Sequence, residues 1–63
     1  HQNLIKGNVV SYDIRGCTIE GSQKLLAAVG LRDLIIVDTP DATLICDKQS
    51  AGEIKKILDE YER

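Results

Sequence analysis

Apolar residues along this chain gather in short clusters centred near Val10, Ile19, Ala27, Ile36 and Ile45. The clusters lie about eight to ten residues apart with turn formers between them, the cadence of consecutive short strands. Lys6-Gly7-Asn8, Arg15-Gly16, Glu20-Gly21-Ser22 and Gly30-Leu31-Arg32-Asp33 supply the breaks. No strict short repeat runs through the series, so the spacing admits the coils of a β-helix without requiring them.

Leu34-Ile35-Ile36-Val37 is apolar without interruption and rich in β-branched residues, which predicts a strand covered on both faces. Its expected neighbour is Thr43-Leu44-Ile45-Cys46. Between them Thr39-Pro40-Asp41-Ala42 fits a type I turn, because proline presets φ near the value its second position needs. Asp38 and Asp41 are then free to accept from nearby backbone N–H groups, a structural use that outweighs ligand contact.

The stretch "SQKLLAAV" (22–29) supports two readings. Ser22 is a helix cap, Leu and Ala favour helix, and Gly30 suits a left-handed C-terminal stop. Against this, a helix of two turns is held by tertiary packing rather than by propensity. From Ser50 the period changes, and Ile54, Ile57, Leu58 and Tyr61 form one stripe of an amphipathic helix. Ser50-Ala51-Gly52-Glu53 reads as its capping box, and Glu53, Lys56, Asp59, Glu60 and Glu62 as its solvated face. The fold class expected is therefore mainly β, with short consecutive strands and one C-terminal amphipathic helix.

At 63 residues the chain is one small domain, and a core of that size is marginal by itself. Support from another chain or domain is expected. Cys17 and Cys46 lack CxxC spacing, and His1 is the one histidine, so no zinc site follows. Each cysteine sits in an apolar run and reads as a buried free thiol ahead of a disulfide or a reactive group. A terminal histidine on a chain without a starting methionine reads as a tag remnant on a piece of a longer protein.

Eight basic and ten acidic residues leave a net charge of −2, with the bases scattered. Two tyrosines are the whole aromatic complement, so neither the basic footprint nor the stacking platform of a nucleic-acid binder is present. The apolar runs are too short to span a membrane, and a cytoplasmic setting is the expectation.

The stretches "GNVV" (7–10), "CTIEG" (17–21), "LLAAVGLRDLIIVDTPDATLICDK" (25–48) and "AGEIKKIL" (51–58) together carry a resemblance. The chain resembles the C-terminal segment of bacterial mannose-1-phosphate guanylyltransferases (GDP-mannose pyrophosphorylases), including those fused to a phosphomannose isomerase. The most specific part is Val29 to Thr39, followed by Asp41-Ala42 and the Asp47-Lys48 exit into a helix. Thr43 and Cys46 depart mildly from it, standing where aliphatic residues are common.

The resemblance implies a parent enzyme whose N-terminal nucleotidyltransferase domain moves GMP from GTP to mannose 1-phosphate with Mg²⁺ and releases pyrophosphate. It implies for residues 1–63 a strand-rich module with partial turns of a left-handed β-helix, residues 22–29 included as strand, that helps subunits associate. The family's Gly-rich catalytic loop has no counterpart here. No catalytic, cofactor-binding or metal-binding residue is therefore assigned, and no cofactor is expected in the fragment itself. The expected partners are the parent's N-terminal domain and further copies of the chain. The alternative is a regulatory module in which Arg15, Lys24 or Arg32 sense a phosphorylated sugar or nucleotide.

Overall fold

The computed structural model describes residues 2–61, so the expectations for His1 and Glu62 lie outside the described residues. Six strands follow one another: β1 (Leu4–Lys6), β2 (Val9–Tyr12), β3 (Thr18–Glu20), β4 (Leu26–Val29), β5 (Leu34–Asp38) and β6 (Thr43–Asp47). A 3₁₀ turn over Lys48–Glu53 then leads into helix α1 (Ile54–Tyr61). Mainly β with a terminal helix is the class expected from the spacing.

Two sheets form, ordered β1-β3-β5-β6 and β2-β4. Every pairing is parallel except β5 with β6. The chain leaves the first sheet, lays a strand in the second, passes a bridge between Arg15 and Arg32, and returns one rung further on. This winding is a β-helix. Val9 pairs with Leu26, Arg15 with Arg32 and Thr18 with Ile35, each 17 residues apart, whereas Leu4 pairs with Thr18 only 14 later. The second circuit therefore carries three extra residues, and they fall in the corner between Glu20 and Leu26.

The other corners repeat their backbone while changing their residues. Asp13 (φ 58°) and Gly30 (φ 66°) hold one left-handed corner on successive circuits, and Gly16 (φ 66°) and Asp33 (φ 55°) hold the next. Asp and Gly both tolerate this region. One geometry written with two residue types leaves little repeat to detect.

Residues 26–29 are strand, and the helical lean of "SQKLLAAV" loses. The row of backbone groups on β2 must be paired, and β4 pairs it while turning Leu26 and Ala28 inward. Gly30 is left-handed as a helix stop would be, but it ends a strand.

Cys17, Ile19, Ala28 and Ile36 are the buried hydrophobic core, with Val9, Ile14, Leu26, Leu31 and Leu34 packed around it. Parallel register stacks Ile5, Ile19 and Ile36 into one column, and Ile45 stands opposite Ile36. The middle of the column is dry while its ends are not: Ile19 is 1% exposed and Ile36 6%, against 42% for Ile5 and 65% for Ile45. The β5 run is buried on the face of Ile36 and Asp38, while Ile35 and Val37 on the other face are half-buried, so the expected cover on both faces is only partial.

The helix starts differently from the expected capping box. Asp47, extended at the end of β6 (φ −71°, ψ 138°), is the cap, and its Oδ2 accepts the Gln49 N–H at 2.9 Å. Ser50-Ala51-Gly52-Glu53 lies inside the 3₁₀ turn, with Glu53 facing Lys56 at 3.8 Å. Asp47 therefore caps the 3₁₀ turn through the Gln49 N–H, and Ser50 lies inside that turn instead of at the start of α1.

Candidate functional site

Strand alternation places Asp38 on the same inward face as Ile36, two residues before it. Its side chain is 1% exposed. Thr43, its register partner on β6, donates Oγ1–H to Oδ1 at 2.6 Å, and the Lys24 ammonium stands 3.4 Å from the same oxygen. The Thr43 hydrogen bond lowers the Asp38 pKa most; burial opposes it, and Lys24 and the Ser22 hydroxyl add to the lowering. Oδ2 is buried without a hydrogen-bond partner.

The carboxylate therefore stays ionised and ties three pieces of chain together. Ser22 and Lys24 come from the enlarged corner, Asp38 from β5 and Thr43 from β6. Asn8 fastens the same corner from below, its Nδ2 donating to the Gln23 carbonyl at 3.0 Å. The expectation that Asp38 accepts from nearby backbone N–H groups is corrected: its partners are the Thr43 hydroxyl and the Lys24 ammonium. The three added residues before β4 bring Lys24 and Ser22 to it. Strand geometry puts Asp38 on the face of Ile36, but an uninterrupted apolar run does not say which face is inward.

Asp41 is exposed in the loop. The turn around it closes through Thr39, whose N–H donates to the Ala42 carbonyl at 2.9 Å and whose Oγ1 accepts the Ala42 N–H at 3.1 Å. A hydroxyl thus takes the hydrogen bond that a type I turn gives to a carbonyl.

Of the three candidate anion-sensing cations, Arg15 and Arg32 lie on adjacent rungs, and Lys24 sits at the other end of β4 on Asp38. Arg32 is committed to the rung below: Nη1 donates to the Asp13 carbonyl at 2.7 Å and Nη2 to Asp13 Oδ1 at 3.0 Å. The three do not converge. Both thiols are free; Cys17 is buried as expected, whereas Cys46 is only half-buried, facing a groove of about 370 Å³ between β6 and the terminal helix. Among the described residues no group of three or more His, Cys, Asp or Glu side chains is placed to share a metal ion. No described helix is long and apolar enough to cross a membrane.

A short β-helix closed by an antiparallel strand and an amphipathic helix, held at one corner by a buried carboxylate, places the chain among solenoid modules. It belongs to the MannoseP isomerase/GMP-like beta-helix domain family, whose model matches residues 7–61. It is 40% identical over 57 residues to a putative mannose-1-phosphate guanylyltransferase of Vibrio cholerae, covering 90% of this chain and 12% of that protein. It is 38% identical over 58 residues to the alginate biosynthesis protein AlgA of Pseudomonas syringae, covering 92% of this chain and 12% of that one.

A crystal structure from Thermus thermophilus, described as a mannose-1-phosphate geranyltransferase, superposes on the whole chain with a TM-score of 0.88 and 25% identity, using 19% of its own length. The chain thus spans about 12% of the curated relatives it matches, in their C-terminal region.

Proposed function

We propose that this chain is the non-catalytic support and assembly module of a cytoplasmic mannose-1-phosphate guanylyltransferase. In that enzyme a separate N-terminal nucleotidyltransferase domain transfers GMP from GTP to mannose 1-phosphate with Mg²⁺ and releases pyrophosphate. The observation that carries the reading is apolar surface this chain leaves uncovered. Among the described residues the buried hydrophobic core is four, while Val10, Tyr12, Leu25, Val29, Ile45, Ile57, Leu58 and Tyr61 are all at least half exposed. So many exposed apolar side chains on so small a body call for a neighbouring domain or subunit.

Support also comes from the charges. Asp38 and Lys24 hold each other and Arg32 holds Asp13, so these charges serve the fold. Light scattering tests the assembly reading directly: a dimer or larger species is expected at tens of micromolar, and a compact monomer would refute it. A pyrophosphate-release assay with GTP, mannose 1-phosphate and Mg²⁺ should give no turnover for this chain, and turnover by pure protein would overturn the non-catalytic part. Titrating GDP-mannose against labelled protein should leave Arg15, Lys24 and Arg32 unshifted; shifts at those three would favour the sensing alternative.

A further inference from the structure

The two ends of the winding differ. At the far end β6 reverses direction against β5, and the chain leaves the coil through the 3₁₀ turn into α1. At the near end β1 and β2 are parallel rungs, each paired on one side only among the described residues. The Leu4 N–H donates to the Cys17 carbonyl at 2.9 Å and the Lys6 carbonyl accepts the Gly21 N–H at 2.8 Å, so both face β3. Strand alternation then turns the N–H and carbonyl of Ile5, between them, to the open edge. The Ile5 side chain, at the foot of the isoleucine column, is 42% exposed, and Leu4 beside it 65%. A groove of about 230 Å³ lined by Leu4, Ile5, Lys6, Thr18 and Glu20 flanks the same edge. Open strand edges at the end of a coil invite further pairing, and solenoids cover them with a strand, helix or loop.

Connectivity identifies the cover. Asn3 is fixed to the coil, its Nδ2 donating to the Ile14 carbonyl at 3.1 Å and its Oδ1 accepting the Cys17 N–H at 2.9 Å. Chain that precedes Asn3 is therefore delivered to the open edge beside Ile5, at an effective concentration that a separate molecule does not match. The relatives supply such chain, since these residues span about 12% of their length and lie in their C-terminal region. We propose that in the parent enzyme the segment immediately upstream of residue 1 folds back across this end, covers Ile5 and Leu4 and closes the outer edge of β1. One circuit of the coil uses 14 to 17 residues, so that length of chain suffices to cross it. The inference rests on the reading of these residues as the C-terminal module of a longer enzyme, and names what lies against its open end.

Hydrogen exchange read by mass spectrometry compares Ile5 in the 63-residue chain with Ile5 in the intact parent. Its N–H should exchange near the rate of unstructured peptide in the 63-residue chain and about tenfold or more slowly in the parent. A benzophenone amino acid in place of Leu4 in the intact parent then identifies the cover, and its crosslinks should map to the upstream residues within one circuit's length of residue 1. Equal exchange at Ile5 in the two proteins would overturn the inference. So would crosslinks to a remote part of the upstream domain or to a second subunit, told apart by mixing isotopically light and heavy parent. Protection of Ile5 that rises with the concentration of the 63-residue chain would give the edge to a second copy and overturn it as well. Guanylyltransferase turnover by the parent reports separately on the reading beneath: a parent without turnover sinks that reading, while exchange at Ile5 still decides this one.

Discussion

The column Ile5–Ile19–Ile36 predicts a graded cost for removing equivalent side-chain atoms along one line of the fold. Ile19 is 1% exposed at the centre, so Ile19→Ala loses the full transfer free energy of its removed carbons and leaves a cavity that parallel rungs on both sides cannot close. Such replacements cost about 2–5 kcal/mol. Ile5 occupies the same inward position one rung away but is 42% exposed, with no described rung beyond it. Ile5→Ala should therefore cost about 1–1.5 kcal/mol, roughly the buried share of the carbons removed at ~0.8 kcal/mol each.

A chain of 63 residues is expected to be stable by only ~3–9 kcal/mol. Ile19→Ala should thus lose a large share of the chain's stability, while Ile5→Ala loses a small one. Urea titration followed by far-UV circular dichroism, at one fixed protein concentration, measures both midpoints. If Ile5→Ala lost as much stability as Ile19→Ala, or more, the column would not be the core of this solenoid.

Gly7 (φ +90°) lies where an added Cβ would stand 2.4 Å from the Gly21 carbonyl oxygen of the next circuit, whereas at Gly30 (φ +66°) it would meet nothing within 4 Å. Gly30→Ala should cost only the left-handed strain, about 1–2 kcal/mol, and Gly7→Ala distinctly more in the same melts. Asp38 has a lowered pKa, so its ionisation stabilises the fold above its ordinary value of 3.8 and that contribution fades as pH falls through the lower folded value. Stability of Asp38→Asn should accordingly vary less between pH 5 and 2 (roughly that window) than wild type; an unchanged profile would remove Asp38 from the account. Cys17 is 0% exposed and Cys46 half-buried, so an aromatic disulfide reagent should modify Cys46 first and Cys17 only at the rate of unfolding.

The linear pattern determined what depends on neighbours in sequence. The five apolar clusters became β2 to β6, Pro40 lies in the tight turn between β5 and β6, and the stripe from Ile54 to Tyr61 became a helix. β1 had no such signature, because three residues at an edge are strand only by virtue of pairing with β3. The winding itself was concealed by chemistry. One corner is Asp in the first circuit and Gly in the second, the next is Gly and then Asp, and three added residues break the spacing on one side.

Tertiary structure alone decided the contested segment and the fate of the acid. Residues 26–29 favour helix locally, yet an unpaired row of β2 backbone groups outweighs a preference of a few tenths of a kcal/mol per residue, roughly the scale of helix propensities. Asp38 looked like a turn residue beside Pro40, but alternation turns it inward, and Lys24, fourteen positions earlier, reaches it only because the enlarged corner folds back over β5. Sequence patterns report which face a residue shows. Which residue meets it there is set by register between circuits, and register is a property of the whole coil.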